Sequence, residues 1–506
     1  MVTLSDCRVS AIVKLVRLLS YLKISKKITL QLVLIDIPQY STQPFLISLC
    51  GYKVVIGFDY GTSNCAVGVM NDGQPKILSL GENGRYTPST LYAPNRDIIA
   101  HWLYQRLPET AQAEFKVKRA LPLQRSQSVI RELKLDGISP ELSFGQAALD
   151  SYLDEPEEGY YIKSPKSFLG ASGLVETQIN LFEDIVAAMM CNIKTLSENA
   201  EQREITKAVI GRPINFQGLK GEKSNRQAID VLTNAAKRIG FKEVEFQFEP
   251  VAAGFEYEAS LTQETKVLVV DIGGGTTDSS MLLMGPEFRE STDRTAHLLA
   301  HSGVRIGGND FDIQLALKGI MPSLGMNSLL KTGKPMPVNS FSQAVSINNV
   351  NEQTEFYSQS NRRFLEQLKL DSAEPTIFER LLTVHDHKLS YCLVNSAEQA
   401  KIGLTDTVTQ NIDLSELEDN LAVDVSRQLM LESSSSQLKQ ISQMMENAVK
   451  QAGCQPDVIF VTGGTAKSPV LNDYLTAQMP GIPLVIGDHF GSVTVGLARW
   501  AKRIFS

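Results

Sequence analysis

A chain of 506 residues with 43% hydrophobic and 21% charged residues has the balance of a globular protein and enough length for more than one core. Its formal net charge of −7 argues against a nucleic-acid partner, which normally calls for a basic face. The six cysteines (Cys7, Cys50, Cys65, Cys191, Cys392 and Cys454) form neither a C-x-x-C pair nor a metal-ligand spacing, the pattern of reduced thiols in a cytoplasmic protein.

Residues 1–52 stand apart: six basic side chains face two acidic ones, and no glycine precedes Gly51. Basic residues interrupt the apolar stretch and no small-residue cleavage site stands out, so a signal peptide is not expected, and no stretch approaches eighteen uncharged apolar residues, so neither is a membrane span. An amphipathic surface helix over residues 9–22 is one reading. The other, which we adopt, is an extension outside the fold, created by an early start, with no membrane partner.

From residue 53 the pattern becomes that of an α/β protein. Two β-rich stretches, 53–70 and 74–80, flank Asn71-Asp72-Gly73, a hairpin turn signal. The first stretch runs through Asp59 into a turn containing Gly61, Thr62 and Ser63. Residues 97–142 are polar and mixed in period. Helical spacing over 181–193 is followed by a buried strand at 208–213, which stops at Pro213. Gly218-Leu219-Lys220-Gly221-Glu222-Lys223-Ser224 superficially resembles a Walker loop, but Glu222 separates glycine from lysine. A helix over 225–239 is expected to end at Gly240, with a strand at 244–248 after it.

A second strand, 267–271, then leads through Asp271 into Gly273, Gly274, Gly275, Thr276, Thr277 and Asp278. The Ser-, Asn- and Gln-rich stretch 337–361 is expected to be loop. Pro375 should open one long helix that stops near Gly403, with His385 and His387 as solvated surface groups. Last, the apolar strand 457–461 runs into Thr462-Gly463-Gly464-Thr465 and a helix start.

The segments around Asp59 and Asp271, 212 positions apart (271 − 59), share one design: an apolar strand, a terminal Asp, a glycine turn and hydroxyls. Glycine lets the backbone approach closely and aim N–H groups inward as an anion nest, while the carboxylate meets a metal riding on phosphates. With the Gly463-Gly464 turn, the set describes a nucleotide held between two related lobes. No Gly-x-Gly-x-x-Gly follows a strand, so a dinucleotide site is not expected.

These segments resemble the ATPase domain of the seventy-kilodalton heat-shock (DnaK) family, within the actin-like superfamily. Further matches run in the family's order: Thr87-Pro88-Ser89, Lys166 to Gly170, Arg212-Pro213 with Phe216, Glu249-Pro250-Val251-Ala252-Ala253, Gly307-Gly308 through Asp312, Glu398 to Lys401, and Gly463-Gly464. The likeness runs from residue 53 to the C-terminus and is strongest to the YegD-type chaperone-like proteins. It implies duplicated, ribonuclease H-like ATPase lobes with a nucleotide cleft between them: lobe I over 53–263, and lobe II over 264–506 with an enlarged outer subdomain at 313–397.

By this resemblance the ligands are ATP and Mg²⁺. Asp59 and Asp271 would hold the metal, and Gly61, Thr62 and Ser63 with Gly273, Gly274, Gly275 and Thr276 would grip the phosphates. Lys166 would stabilise charge near the γ-phosphate, Glu249 would place the attacking water, and Asp278 and Asp310 would support them from behind. Gly308, Glu398, Lys401, Thr405, Gly463, Gly464 and Lys467 fall where the family contacts base and ribose. Ile402 replaces the Arg that usually stacks on adenine, and Asn215 replaces a Tyr of the interlobe switch. The expectation is an ATP-binding, slowly hydrolysing, chaperone-like protein with unfolded-protein clients or cochaperones as partners. Only ten residues follow Gly496 (506 − 496), so the family's substrate-binding domain is not expected. The alternatives are an actin-like filament former and a small-molecule kinase of the same superfamily.

Overall fold

The computed structural model describes residues 54–216, 221–487 and 491–505. The expectations for residues 1–52, and the first three residues of the Walker-like stretch, lie outside the described residues.

The first sheet begins with β1 (Val54–Tyr60), whose Ile56, Phe58 and Tyr60 are fully buried. It turns back as β2 (Asn64–Asn71), antiparallel to β1, and then β3 (Gln74–Ile77). Asp72 (φ 50°) and Gly73 (φ 80°) both adopt positive φ, the geometry a two-residue hairpin demands. After the short β4 (Thr87–Pro88), which pairs with β2, the strands β5 (Thr90–Ala93), β6 (Ser143–Phe144) and β7 (Tyr160–Lys163) make a small separate sheet in the order β6-β5-β7. The chain returns through β8 (Ile205–Arg212) and β9 (Glu243–Phe248), both parallel to β1. The main order is β3-β2-β1-β8-β9.

The second sheet repeats this plan. A meander of β10 (Thr265–Ile272), β11 (Thr277–Met284) and β12 (Leu298–Val304) is antiparallel. After a hairpin of β13 (Thr409–Asp413) and β14 (Ala422–Ser426), β15 (Val458–Thr462) and β16 (Leu484–Ile486) add in parallel beside β10. The order β12-β11-β10-β15-β16 is the first sheet's order, strand for strand. The structure is therefore a two-lobed α/β fold built by duplication, as the paired Asp-Gly loops imply.

Two helices join the sheets, Glu249–Glu258 and Gly491–Phe505. Val209 of β8, Ala252, Phe255, Val269 of β10, Phe460 of β15 and Leu497 all belong to one buried cluster. Close approach is possible because Gly496 has no side chain: a Cβ there would sit 1.7 Å from the Ala252 carbonyl oxygen. A Cβ on Gly57 of β1 would meet the Ala498 nitrogen at 2.3 Å. The last helix of the chain thus covers the first strand, although the sequence division at 263/264 assigns the two to different lobes.

Two stretches differ from expectation, and a third, to which the sequence assigned no element, is helical. Residues 97–142 form helices Ile98–Arg106, Glu109–Lys118 and Ala120–Leu135. Their period is blurred because Arg119 is buried and bonds Asp184 (2.8 Å) and Glu183 (3.1 Å) of helix Glu176–Glu201. The stretch expected to be loop at 337–361 contains helices Asn339–Val345 and Val350–Phe356 and the start of Gln359–Asp371. Its polar residues act as caps: Asn349 Oδ1 accepts from Asn351 N at 3.1 Å, and Ser358 Oγ from Asn361 N at 3.1 Å. The single helix expected after Pro375 is two, Pro375–Asp386 and Ser390–Gly403, broken where Lys388 turns left-handed (φ 54°). His387 is exposed as expected, whereas His385 is buried against Phe356 and Tyr357.

Candidate functional site

The two glycine loops face each other at the ends of β1 and β10. In the first, Gly61 leaves room for Asn64: a Cβ on Gly61 would fall 2.2 Å from the Asn64 carbonyl oxygen. The second is closed by Gly273 N donating to Thr276 O (3.0 Å) and is strapped to the next helix, Gly308–Leu315, by Gly308 N to Gly273 O and Asn309 N to Gly274 O, both 2.8 Å. Ser63 touches Gly274, so the loops meet across the cleft. Gly463, at φ 93°, packs under the second loop, where a Cβ would lie 2.3 Å from Ile272 O and 2.8 Å from Asp271 Oδ1.

Between them lies a cavity of about 280 Å³. Its walls include Asp59, Gly61, Thr62 and Ser63 from the first loop, Asp271, Gly273, Gly274 and Thr276 from the second, and Glu249. At the other end stand Gly308, Glu398, Lys401, Ile402, Gly463 and Gly464. Lys166, Gly275, Thr405 and Lys467 are not among the lining residues. Thr405 is tied elsewhere, its carbonyl accepting from Arg427 at 2.7 Å, and Lys467 is exposed.

Lys166 acts from behind the wall. It sits on a short turn, Pro165–Phe168, after β7, and its ammonium donates to Glu249 in a buried ion pair. Asn309 Nδ2 bonds Ser164 Oγ (3.2 Å), fixing this turn to the opposite lobe. Glu249 opens its helix just before Pro250, and Gly211 gives its side chain room.

One buried lysine serves four acidic groups here. Burial, then Glu249, push Asp59 up to about 7, against the pull of Lys166 and of the Thr494 hydroxyl at 3.4 Å. Burial, Glu249, Asp278 and Asp59 hold Asp271 well above the carboxylate range. Asp278 is pushed up to about 8 by burial and Glu249, although it accepts from Ile214 N at 3.0 Å. Such a cluster is short of positive charge and suits a cation. Among the described residues no three His, Cys, Asp or Glu side chains form a protein-only metal cage.

At the far end, burial would raise Glu398, but Lys163 and Lys401 outweigh it and hold the carboxyl below its usual value. Lys401 also pairs with Asp312 (2.6 Å) and donates to Gly308 O (3.3 Å). Burial pushes Asp312 up to about 6 despite that lysine. Asp310, which burial likewise brings to about 6, accepts from Gly307 N (2.8 Å) and Asn348 (3.1 Å). Ile402 stands half exposed on the wall.

The sequence did not single out Asn64, Tyr86, Thr465 or Val493, which also line the cavity. Thr465 stands within the third turn and Asn64 directly follows Ser63 of the first, so the turns reach both, although no role was read for either. Val493, near the end of the chain, carries no local signal.

A family model described as "Hsp70 protein" matches residues 55–132 and 174–318. These spans hold both Asp-Gly loops, Glu249 and Gly308; Lys166 falls between them, and Glu398, Lys401 and Gly463 lie beyond. The mixed α/β lobes form the two-lobed actin-like ATPase fold of that domain, to which the matched spans, less than half of the chain, are similar.

Proposed function

We propose that this protein binds Mg·ATP in the interlobe cavity and hydrolyses it slowly, as a cytoplasmic, chaperone-like protein resembling the YegD type. The observation that carries the reading is the meeting of two duplicated Asp-Gly loops across one cleft, beside a carboxylate cluster with a single buried lysine.

Asp59 and Asp271 would hold the metal, and Ser63, Thr62, Thr276 and the glycine N–H groups would cradle the phosphates. A bound Mg²⁺ would supply charge neutralisation for the transferred phosphoryl group. Glu249 orients the attacking water. Paired with Lys166, it serves as an acceptor that aims the water, and Lys166 offsets negative charge on the same side. Glu398 and Lys401 bound the nucleoside end. Clients or cochaperones are the partners this reading implies.

The test is phosphate release from ATP by the full chain and by Asp271→Asn, with and without Mg²⁺. Turnover in the variant should fall at least about 10²-fold with an unchanged melting curve. Equal turnover would sink the assignment of the site.

A further inference from the structure

The turn that carries Lys166 is held from both lobes by buried polar groups. In the first lobe it begins at Ser164, directly after β7, and Ser164 N donates to Ser89 O at 2.8 Å. Ser89 in turn grips the first glycine loop: its hydroxyl donates to Gly61 O (2.7 Å) and its N–H to Ser63 O (2.8 Å). From the second lobe the Asn309 amide donates to Ser164 Oγ (3.2 Å), while the Asn309 N–H is bonded to Gly274 O of the second loop (2.8 Å). Ser89, Ser164 and Asn309 are all buried, so these bonds lie away from water, where each is stronger. One chain of hydrogen bonds thus runs from the first loop, through the start of the Lys166 turn, to the second loop.

Ser164 is also the strained member of that chain. Its backbone is left-handed, with φ 59° and ψ 50°, although it is not glycine and stands directly before Pro165, where extended backbone is favoured. Such a conformation persists only where its surroundings over-determine it, and it gathers at functional sites. Two residues on, the Lys166 ammonium meets Glu249. We propose that Ser164 and Asn309 are a positioning pair, whose side-chain bond across the cleft aims Lys166 and Glu249 at the reacting phosphoryl group and its water. The proposal rests on the ATP reading of the interlobe cavity. Neither residue lines that cavity, so the pair acts through the lysine. Truncating either side chain leaves the backbone links to Ser89 and Gly274 in place, and both glycine loops keep their straps. The pair should therefore matter for turnover and not for nucleotide binding.

The experiment measures phosphate release from Mg·ATP, and Mg·ADP affinity by calorimetry, for the full chain and for Ser164→Ala, Ser164→Gly, Asn309→Ala and the double variant Ser164→Gly with Asn309→Ala. Ser164→Gly guards against misfolding, because glycine takes a positive φ freely. Each single change should lower kcat about tenfold, the worth of one lost hydrogen bond, with KM and Mg·ADP affinity within about twofold of wild type. The double variant should be no slower than the slower single, since both changes remove the same bond. With wild type active, the proposal is overturned if Ser164→Gly or Asn309→Ala keeps the full rate, if ADP affinity falls in parallel with kcat, or if the losses multiply in the double variant. A wild type that neither binds Mg·ADP nor releases phosphate would overturn the ATP reading itself, and this pair with it.

Discussion

Ser63 and Gly274, one from each glycine loop, meet with no room for a methyl group: a Cβ on Gly274 would fall 2.1 Å from Ser63 Oγ and 3.1 Å from Ser63 N. The hydroxyl could rotate away, but the backbone contact remains tight. Gly274→Ala should therefore displace the Ser63 hydroxyl and spread the loops, weakening Mg·ATP by about tenfold, the worth of one lost hydrogen bond with some misplacement. Adding Ser63→Gly should recover part of the affinity by calorimetry. No recovery would show that the loops do not act through this contact.

Gly496→Ala tests the helix crossing. In an exposed helix this change stabilises by about 1 kcal/mol. Here the new Cβ would overlap the Ala252 carbonyl at 1.7 Å, and backbone cannot step aside as a side chain can. Overpacking of this kind costs about 3 kcal/mol or more, so the sign reverses. A urea midpoint equal to or above wild type would contradict the crossing.

Lys166 and Glu249 should be inseparable for stability but not for turnover. Lys166→Met leaves a buried carboxylate without its partner, a loss of about 3–5 kcal/mol. Adding Glu249→Gln removes the stranded charge and should restore most of the denaturation midpoint, while phosphate release stays low. If the double variant hydrolyses ATP normally, neither residue takes part in the reaction.

The acid cluster gives the metal-free protein an unusual pH response. Asp278 is held at about 8 in the folded chain, by burial first and Glu249 second, against an ordinary 3.8. Over that window the folded state keeps a proton that the unfolded state releases, so stability falls as pH rises from about 4 to about 8. Asp278→Asn removes the titrating group and should flatten the decline. The check is the urea midpoint at pH 5.5 and pH 8 for both proteins; parallel slopes would assign the response elsewhere.

Ile402 is 54% exposed on the wall at the nucleoside end, which leaves space for a longer side chain. An Ile402→Arg guanidinium could lie over the base and tighten ATP by up to about tenfold, with better discrimination against GTP. Calorimetry with both nucleotides decides. Loss of ATP affinity would mean that the pocket is shaped around an apolar contact.

What the sequence disclosed was local. Strands β1 and β10, with their terminal Asp and glycine turns, are read from a few consecutive residues, because close backbone approach leaves only glycine possible there. Partnerships made at a distance were hidden. Arg119 looks like a surface charge until Asp184 and Glu183 are beside it, and Asn349 and Ser358 look like loop residues until they cap helices. Lys388 breaks a helix without the glycine or proline that would announce it. Val493 reaches the cavity from a helix whose own sequence shows only an apolar face.

That last helix also sets a timetable for biosynthesis. Thr494 reaches Asp59 across 435 positions of chain, on a helix whose Leu497 and Ala498 cover Gly57. While the protein is being made, Asp59 of β1 leaves the ribosome 435 residues before Thr494 of the helix that shields it. The first sheet must wait with an apolar face open to whatever else is in solution. A protein of this build is itself a candidate for protection during its own synthesis.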